Sequence, residues 1–188
     1  MRIIAGAHKG KTLASVGKGD ARAHLRPTSD RVRESLFNLL INGGYGDPIT
    51  GARVLDLFAG TGALGLEALS RGAAFACFVD DGMAARALLR ENIGLCSAQG
   101  ASRVFRRDAT RLGDVQQAAF DLIFLDPPYG KGLGERALAS ALAGGWVAPG
   151  ALIVWEENTA PILPEGCKML DQRRYGDTLI TIGRLAEG

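Results

Sequence analysis

Val54-Leu55-Asp56-Leu57-Phe58-Ala59-Gly60-Thr61-Gly62 is the stretch that decides the fold. The apolar run from Val54 to Phe58 predicts a strand. Gly60 and Gly62 supply positive φ and let a ligand approach the backbone closely. Residues 63–71 then read as a helix. A strand that ends in a glycine turn and opens a helix begins a βαβ unit, with ligands expected beyond the strand's carboxyl end. Outward from this point the pattern repeats. Residues 75–79 predict a strand, 83–95 a helix, 103–107 a short strand, 122–125 a strongly apolar strand, 135–143 a helix and 152–155 a strand. The last portion differs: two strand-like runs, 168–174 and 178–184, flank the hairpin signal Tyr175-Gly176-Asp177. The expected fold is α/β, a doubly wound, seven-stranded mixed sheet with helices on both faces and an antiparallel C-terminal hairpin.

Upstream lies a small N-terminal hairpin and helix extension. Residues 2–5 and 11–13 can pair across 6–10, and a loop rich in Gly, Lys and Arg follows. Arg26-Pro27-Thr28-Ser29-Asp30 reads as a helix start, with Thr28 or Ser29 as cap. Val32, Leu36, Phe37, Leu39 and Leu40 give the helix an apolar face, and Asn42-Gly43-Gly44 stops it. Residues 1–50 are therefore expected as a basic extension packed on the same core as the main domain, 51–188. The net charge of +2 conceals an asymmetry. Residues 1–34 carry eight basic and three acidic side chains, so a basic arm sits on a mildly acidic body. That arrangement suits a polyanionic partner.

Composition narrows the class. A chain of 188 residues with 47% hydrophobic and 22% charged residues fits one globular domain. No apolar run reaches membrane-spanning length, and residues 1–10 lack the apolar segment of a secretory signal. Cys77, Cys96 and Cys167 are widely spaced and match neither a zinc pattern nor a disulfide framework. These features predict buried thiols in the reducing cytoplasm, without a metal and without a membrane partner, and a monomer is expected.

The string Gly60-Thr61-Gly62-Ala63-Leu64-Gly65 has the G-x-G-x-x-G form, and Asp80 follows at the end of the next strand, where an acid can accept from ribose hydroxyls. NAD and S-adenosylmethionine both fit that pattern. Asp56 favours the second. An acid before the glycine turn would repel a pyrophosphate, whereas it attracts an ammonium and a sulfonium. Asp108, after the third strand, is placed to accept from an adenine amino group. Four acids (Asp56, Asp80, Asp108 and Asp126) thus close four strands along one rim.

Asp126-Pro127-Pro128-Tyr129 follows the most apolar strand. Two prolines stiffen the loop. An exocyclic amine on a nucleobase is a poor nucleophile because its lone pair is delocalised into the ring. Acceptors that take both N–H bonds favour a pyramidal nitrogen, and the Asp126 carboxylate with the Pro127 carbonyl can be those acceptors. Tyr129 offers a stacking face to a base that has left its helix.

With these residues in view, the chain resembles the class I, Rossmann-like S-adenosylmethionine-dependent methyltransferases. It is similar, more narrowly, to the RsmD-type bacterial 16S ribosomal RNA guanine-N2 methyltransferases. The resemblance covers nearly the whole chain. It rests on Arg2-Ile3-Ile4-Ala5-Gly6, Arg26-Pro27-Thr28, Arg31-Val32-Arg33-Glu34-Ser35-Leu36-Phe37-Asn38, Leu55-Asp56-Leu57-Phe58-Ala59-Gly60, Gly65-Leu66-Glu67-Ala68-Leu69-Ser70-Arg71-Gly72-Ala73, the Pro-Pro loop and Tyr175-Gly176-Asp177-Thr178. It implies S-adenosyl-L-methionine as cofactor, with Asp56, Phe58, Gly60 and Gly62 at its methionine end, Asp80 at the ribose, and Asp108 and Ala109 at the adenine. It implies Asp126, Pro127 and Tyr129 as the catalytic group holding the target guanine. Arg2, Lys9, Lys11, Arg26, Thr28, Arg31 and Arg33 are the implied contacts to ribosomal RNA, free or in a small-subunit assembly. The family usually carries Glu where Asp80 stands, and Asp81 can share the ribose contact.

Two other readings keep the same fold: N6-adenine methylation of DNA and methylation of a protein glutamine amide, whose enzymes typically carry Asn at the position of Asp126. A non-enzymatic nucleic-acid-binding protein is a third. His8 and His24 are expected as solvated loop residues, Trp146 and Trp155 as packing, and Glu156-Glu157 as a solvated pair. Tyr175 either packs beneath the Pro-Pro loop or closes a turn.

Overall fold

Strands that are apolar at every position must be covered on both sides, and the central strands here are. In the computed structural model, which describes residues 1–16 and 28–188, seven strands form one sheet. They are β1 (Arg53–Leu57), β2 (Phe75–Val79), β3 (Ser102–Phe105), β4 (Phe120–Leu125), β5 (Val147–Glu157), β6 (Cys167–Tyr175) and β7 (Thr178–Leu185). The order is β3-β2-β1-β4-β5-β7-β6. β1 to β5 run parallel, and β7 lies antiparallel between β5 and β6. The chain winds outward from β1 to β3, then restarts at β4 beside β1. The switch point, where such sheets bind ligands, therefore lies between the carboxyl ends of β1 and β4.

Among the described residues, four α-helices complete the layers: α1 (Asp30–Asn42), α2 (Ala63–Ser70), α3 (Met83–Leu95) and α4 (Leu133–Ala143). The first three cover one face, where Phe37, Leu40, Leu66 and Leu89 pack on Val54, Phe78 and Phe124. α4 covers the other, packing Ala137, Leu138 and Ala141 with Leu55, Leu57, Ile123 and the two tryptophans. Ser29 caps α1, its hydroxyl accepting from Val32 N at 3.2 Å. β5 is longer than its apolar run of 152–155 predicts. A register shift in its pairing with β4 absorbs Pro149 and Gly150 at one end, and Glu156 and Glu157 extend it at the other.

The N-terminal hairpin forms as expected, bridging Arg2 to Thr12, with Ile3 N–Lys11 O and Leu13 N–Met1 O both 2.9 Å. It buries Ile3 and Leu13 in the same core as α1. Glu67 of α2, itself fully buried, accepts from Ile4 N (2.9 Å) and Ala5 N (3.1 Å). Gly6, at φ +82°, passes so near that a Cβ would lie 1.8 Å from the Ser70 carbonyl oxygen. Asn92 of α3 pairs with the Ala14 backbone in both directions (2.7 and 3.0 Å) and also donates to Thr61 O (2.9 Å). One amide thus ties the arm to the glycine turn.

Candidate active site

The turn after β1 is built from unusual backbone. Phe58 holds φ 59°, a conformation that costs a bulky residue energy and persists where the surroundings impose it. Gly60 (57°) and Gly62 (81°) share that region at little cost. Asp80, at the end of β2, fixes the turn from the side: one oxygen accepts from Gly60 N at 2.9 Å, the other from Gly82 N at 2.8 Å. Burial raises its pKa, partly offset by those two donors. Asp56 lies beneath the turn, 1% exposed, and accepts from Gly65 N at 3.0 Å. Burial, with a further contribution from the Asp80 charge, pushes its carboxyl up to about 8, the Gly65 bond working the other way. Gly65 is needed for that approach, since a Cβ would meet the Phe78 ring at 2.4 Å. Asp108 is exposed, and its Oδ1 takes both Thr110 donors (2.8 and 2.7 Å), which lowers its pKa. Ala109 turns its methyl into the α4-side core, so contact there would run through its backbone.

Asp126 begins the loop after β4 and donates its N–H to Leu57 O across the switch point, at 3.5 Å. The Pro-Pro loop and the glycine turn are therefore neighbours. The loop is anchored from β5 by residues that a sequence reading treats as solvated. Glu156 and Glu157 are 5% and 6% exposed. Glu156 Oε1 accepts from the Tyr129 hydroxyl at 2.9 Å and its Oε2 from the Thr28 hydroxyl at 2.7 Å. Glu157 Oε1 accepts from Gly130 N at 3.3 Å. The Thr178 hydroxyl stands 3.4 Å from that of Tyr129. Burial first, then the Glu156 charge, raises Asp126 well above the carboxylate range. Burial raises Tyr129 too, so the phenol stays a donor.

Several expectations need correction. Arg33 is not an RNA contact: it is fully buried, donates to the Arg2 carbonyl and to Asp30 (3.0 Å), and lies 3.8 Å from Glu67. The inner face of α1 puts it there. Thr28 is half-buried, with its hydroxyl on Glu156 at the rim of the candidate site. The Glu156–Glu157 pair is buried because β5 continues two residues past its apolar run. Arg2, Lys9, Lys11 and Arg31 are exposed. Arg26 and His24 lie outside the described residues. Trp146 packs as expected, stacked on Phe120 and donating to Gly113 O at 2.7 Å. Tyr175 ends β6 and packs against the α1-side core. Among the described residues no group of three His, Cys, Asp or Glu is placed to hold a metal, and no helix is long and apolar enough to cross a membrane. A cleft of about 270 Å³ opens at the opposite rim, lined by Tyr45, Asp47, Asp121 and Arg184, away from all four acids.

A switch point flanked by an acid-braced glycine turn and a carboxylate-led proline loop, on a sheet of this order, defines a Rossmann-like methyltransferase. The yhhF protein of Escherichia coli has this architecture: its solved structure matches with a TM-score of 0.82 at 34% identity, over 100% of this chain and 99% of its own. The chain belongs to the family described as conserved hypothetical protein 95, which matches residues 1–184. Ribosomal RNA small subunit methyltransferase D of Escherichia coli (strain K12) is 39% identical over 167 residues, 87% of this chain and 79% of that protein. Its counterpart in Haemophilus influenzae is 36% identical over 181 residues, 94% and 89%.

Proposed function

We propose that this chain transfers the methyl group of S-adenosyl-L-methionine to the exocyclic N2 amine of a guanine in small-subunit (16S) ribosomal RNA. The carrying observation is the placement of the Asp126 loop directly across the switch point from the glycine turn. The acids fit the cofactor: Asp56 and Asp80 flank the turn, which suits a cation and disfavours a pyrophosphate. When bound, the cofactor supplies an electrophilic methyl on a positively charged sulfur, so no metal is needed. Asp80 retains lone pairs for ribose hydroxyls and Asp108 for an adenine amino group.

Asp126 selects guanine. That base presents two adjacent donors, N1–H and the N2 amine, which match two carboxylate oxygens. Adenine presents a donor beside an acceptor and would call for an amide, as in the relatives with Asn here. The Pro127 carbonyl takes the second amine hydrogen, and Tyr129 offers its face, worth about 1–3 kcal/mol per stacked base. Residues 1–50 act as the RNA-contact extension of the 51–188 methyltransferase domain, and the reaction is cytoplasmic. Purified protein with labelled cofactor is offered separately ribosomal RNA, assembled small subunits, DNA and protein. Label recovered as N2-methylguanosine supports the reading; label in DNA adenine or in glutamine overturns it.

Two further outcomes follow. Asp56 must ionise to attract a cation, and its pKa near 8 means it is largely neutral at pH 6 to 7. Cofactor binding then releases a proton, and affinity climbs with pH up to about 8, by at most about tenfold per unit. Calorimetry in buffers of different ionisation enthalpy measures this, and a wild-type affinity that does not change with pH, or a pH dependence that persists in Asp56→Asn, contradicts it. On the arm, each of Arg31→Ala, Lys9→Ala and Lys11→Ala flattens the salt dependence of RNA binding by about 0.7–0.9 in log–log slope. An unchanged slope removes that residue from the interface.

A further inference from the structure

We propose that Glu156 is a positioning residue for methyl transfer: its two carboxylate oxygens clamp Tyr129 and Thr28 onto the base site, and its charge couples that clamp to Asp126. The inference rests on the guanine reading above and names how this chain holds the reactive geometry. Two observations converge on Glu156. It is 5% exposed at the carboxyl end of β5. Each oxygen receives a hydroxyl, Tyr129 at 2.9 Å and Thr28 at 2.7 Å, from segments 27 and 128 residues away in sequence. A buried carboxylate with both oxygens so engaged has one orientation, and it imposes one on the tyrosine ring. Glu157 holds the next backbone N–H of the same loop. The adjacent pair therefore mounts both the ring and the loop that carries it.

The coupling to Asp126 is electrostatic. The titratable groups acting on Asp126 are Glu156 and Glu157 from β5 and Asp56 from β1, and the Thr28 hydroxyl beside them donates to Glu156. Tyr129, on the same loop, is in turn affected by Asp126. Glu156 is the largest charge effect on Asp126 after burial, and it makes the ionised form harder to reach. Burial raises Glu156 as well, with the Thr28 and Tyr129 hydroxyls working the other way. Asp126 must be ionised to accept the guanine donors, so the two carboxyls together set the pH below which the base is not gripped. The same effect suits Asp126 to the end of the reaction. The N2 lone pair forms the N–C bond, the C–S bond breaks with its electrons remaining on sulfur, and the surplus proton on N2 passes to the carboxylate.

Glu156→Gln separates charge from shape, because the amide oxygen can still accept from Tyr129. The Asp126 carboxyl is followed by carbon-13 NMR in the protein without cofactor or RNA. Its midpoint is expected to fall by about one pH unit or more in Glu156→Gln. The acid limb of kcat/KM for RNA moves down with it. Glu156→Ala, which loses the clamp as well, lowers kcat at least about tenfold, and Glu156→Gln restores part of that loss. Cofactor affinity is expected to stay within about threefold in both. An Asp126 midpoint that does not move, or kcat equal in Ala and Gln variants, overturns the inference. A shifted midpoint in a protein that never methylates guanine leaves the Glu156–Asp126 coupling in place and refutes the guanine assignment instead.

Discussion

Asp126→Ala is expected to lose methyl transfer by about 10²- to 10³-fold or more, with cofactor affinity within about threefold of wild type. The loss is large because Asp126 acts where charge develops. Its bonds to the amine strengthen as nitrogen becomes pyramidal and positive, so they stabilise the transition state more than the bound base. The cofactor is spared because the glycine turn is held by Asp80 and Asp56, independently of Asp126. Stability distinguishes this from unfolding. The folded pKa of Asp126 lies above the unfolded value of about 3.9, so the wild-type chain takes up a proton on folding between about pH 4 and that raised value. Stability from this group is present at low pH and is lost as pH rises through that window. Asp126→Asn removes the effect, so at neutral pH that variant is at least as stable as wild type and its advantage grows with pH. Urea unfolding at two pH values beside a single-turnover assay measures both. An inactive variant that is also unstable at neutral pH contradicts the assignment.

Glu67→Ala is the largest expected stability effect, about 3–5 kcal/mol. Glu67 neutralises Arg71 (2.9 Å), lies beside Arg33 and accepts two backbone N–H groups from the arm. Removing it takes the carboxylate from Arg71, leaves the fully buried Arg33 with Asp30 but without its second carboxylate, and orphans two backbone donors. Against a typical total of about 5–15 kcal/mol, that is a large share. The arm should undock, and RNA affinity should fall with it. Arg31→Ala, on the exposed face of the same helix as Arg33, is the contrast: within about 0.5 kcal/mol in stability, with its effect confined to RNA binding. Equal unfolding midpoints for Glu67→Ala and wild type would contradict the clamp.

Arg31 and Arg33 show where sequence reading stops. Both are arginines at a basic helix start, and only the turn of α1 places one in water and the other over α2. The strands were legible because apolar runs in a parallel sheet are local signals, and α3 ends where its periodicity ends, at Leu95. The glycine turn and the Pro-Pro loop were legible because each is one contiguous string. The partners of buried polar groups were not. Glu67 meets Ile4 from 63 residues away, and Glu156 meets Thr28 from 128. A strand-end Glu-Glu pair carries no local mark of such company. Thr28 and Ser29 are equally good caps by type; Ser29 takes the cap, and Thr28 is released to reach Glu156. Pro149-Gly150 hid the first half of β5, because only the pairing with β4 shows that a register shift accommodates it.

The central claim is that the cofactor's methyl and the Asp126 loop meet at one point above the switch between β1 and β4. A crystal structure with S-adenosylhomocysteine bound tests it most directly. The account predicts the ribose on Asp80, the amino-acid end over the Gly60–Gly62 turn, and the sulfur facing Asp126 and Tyr129 with room for one methyl and one planar base between them. Density for that ligand in the cleft at the opposite rim, or with its sulfur turned away from Asp126, would contradict it.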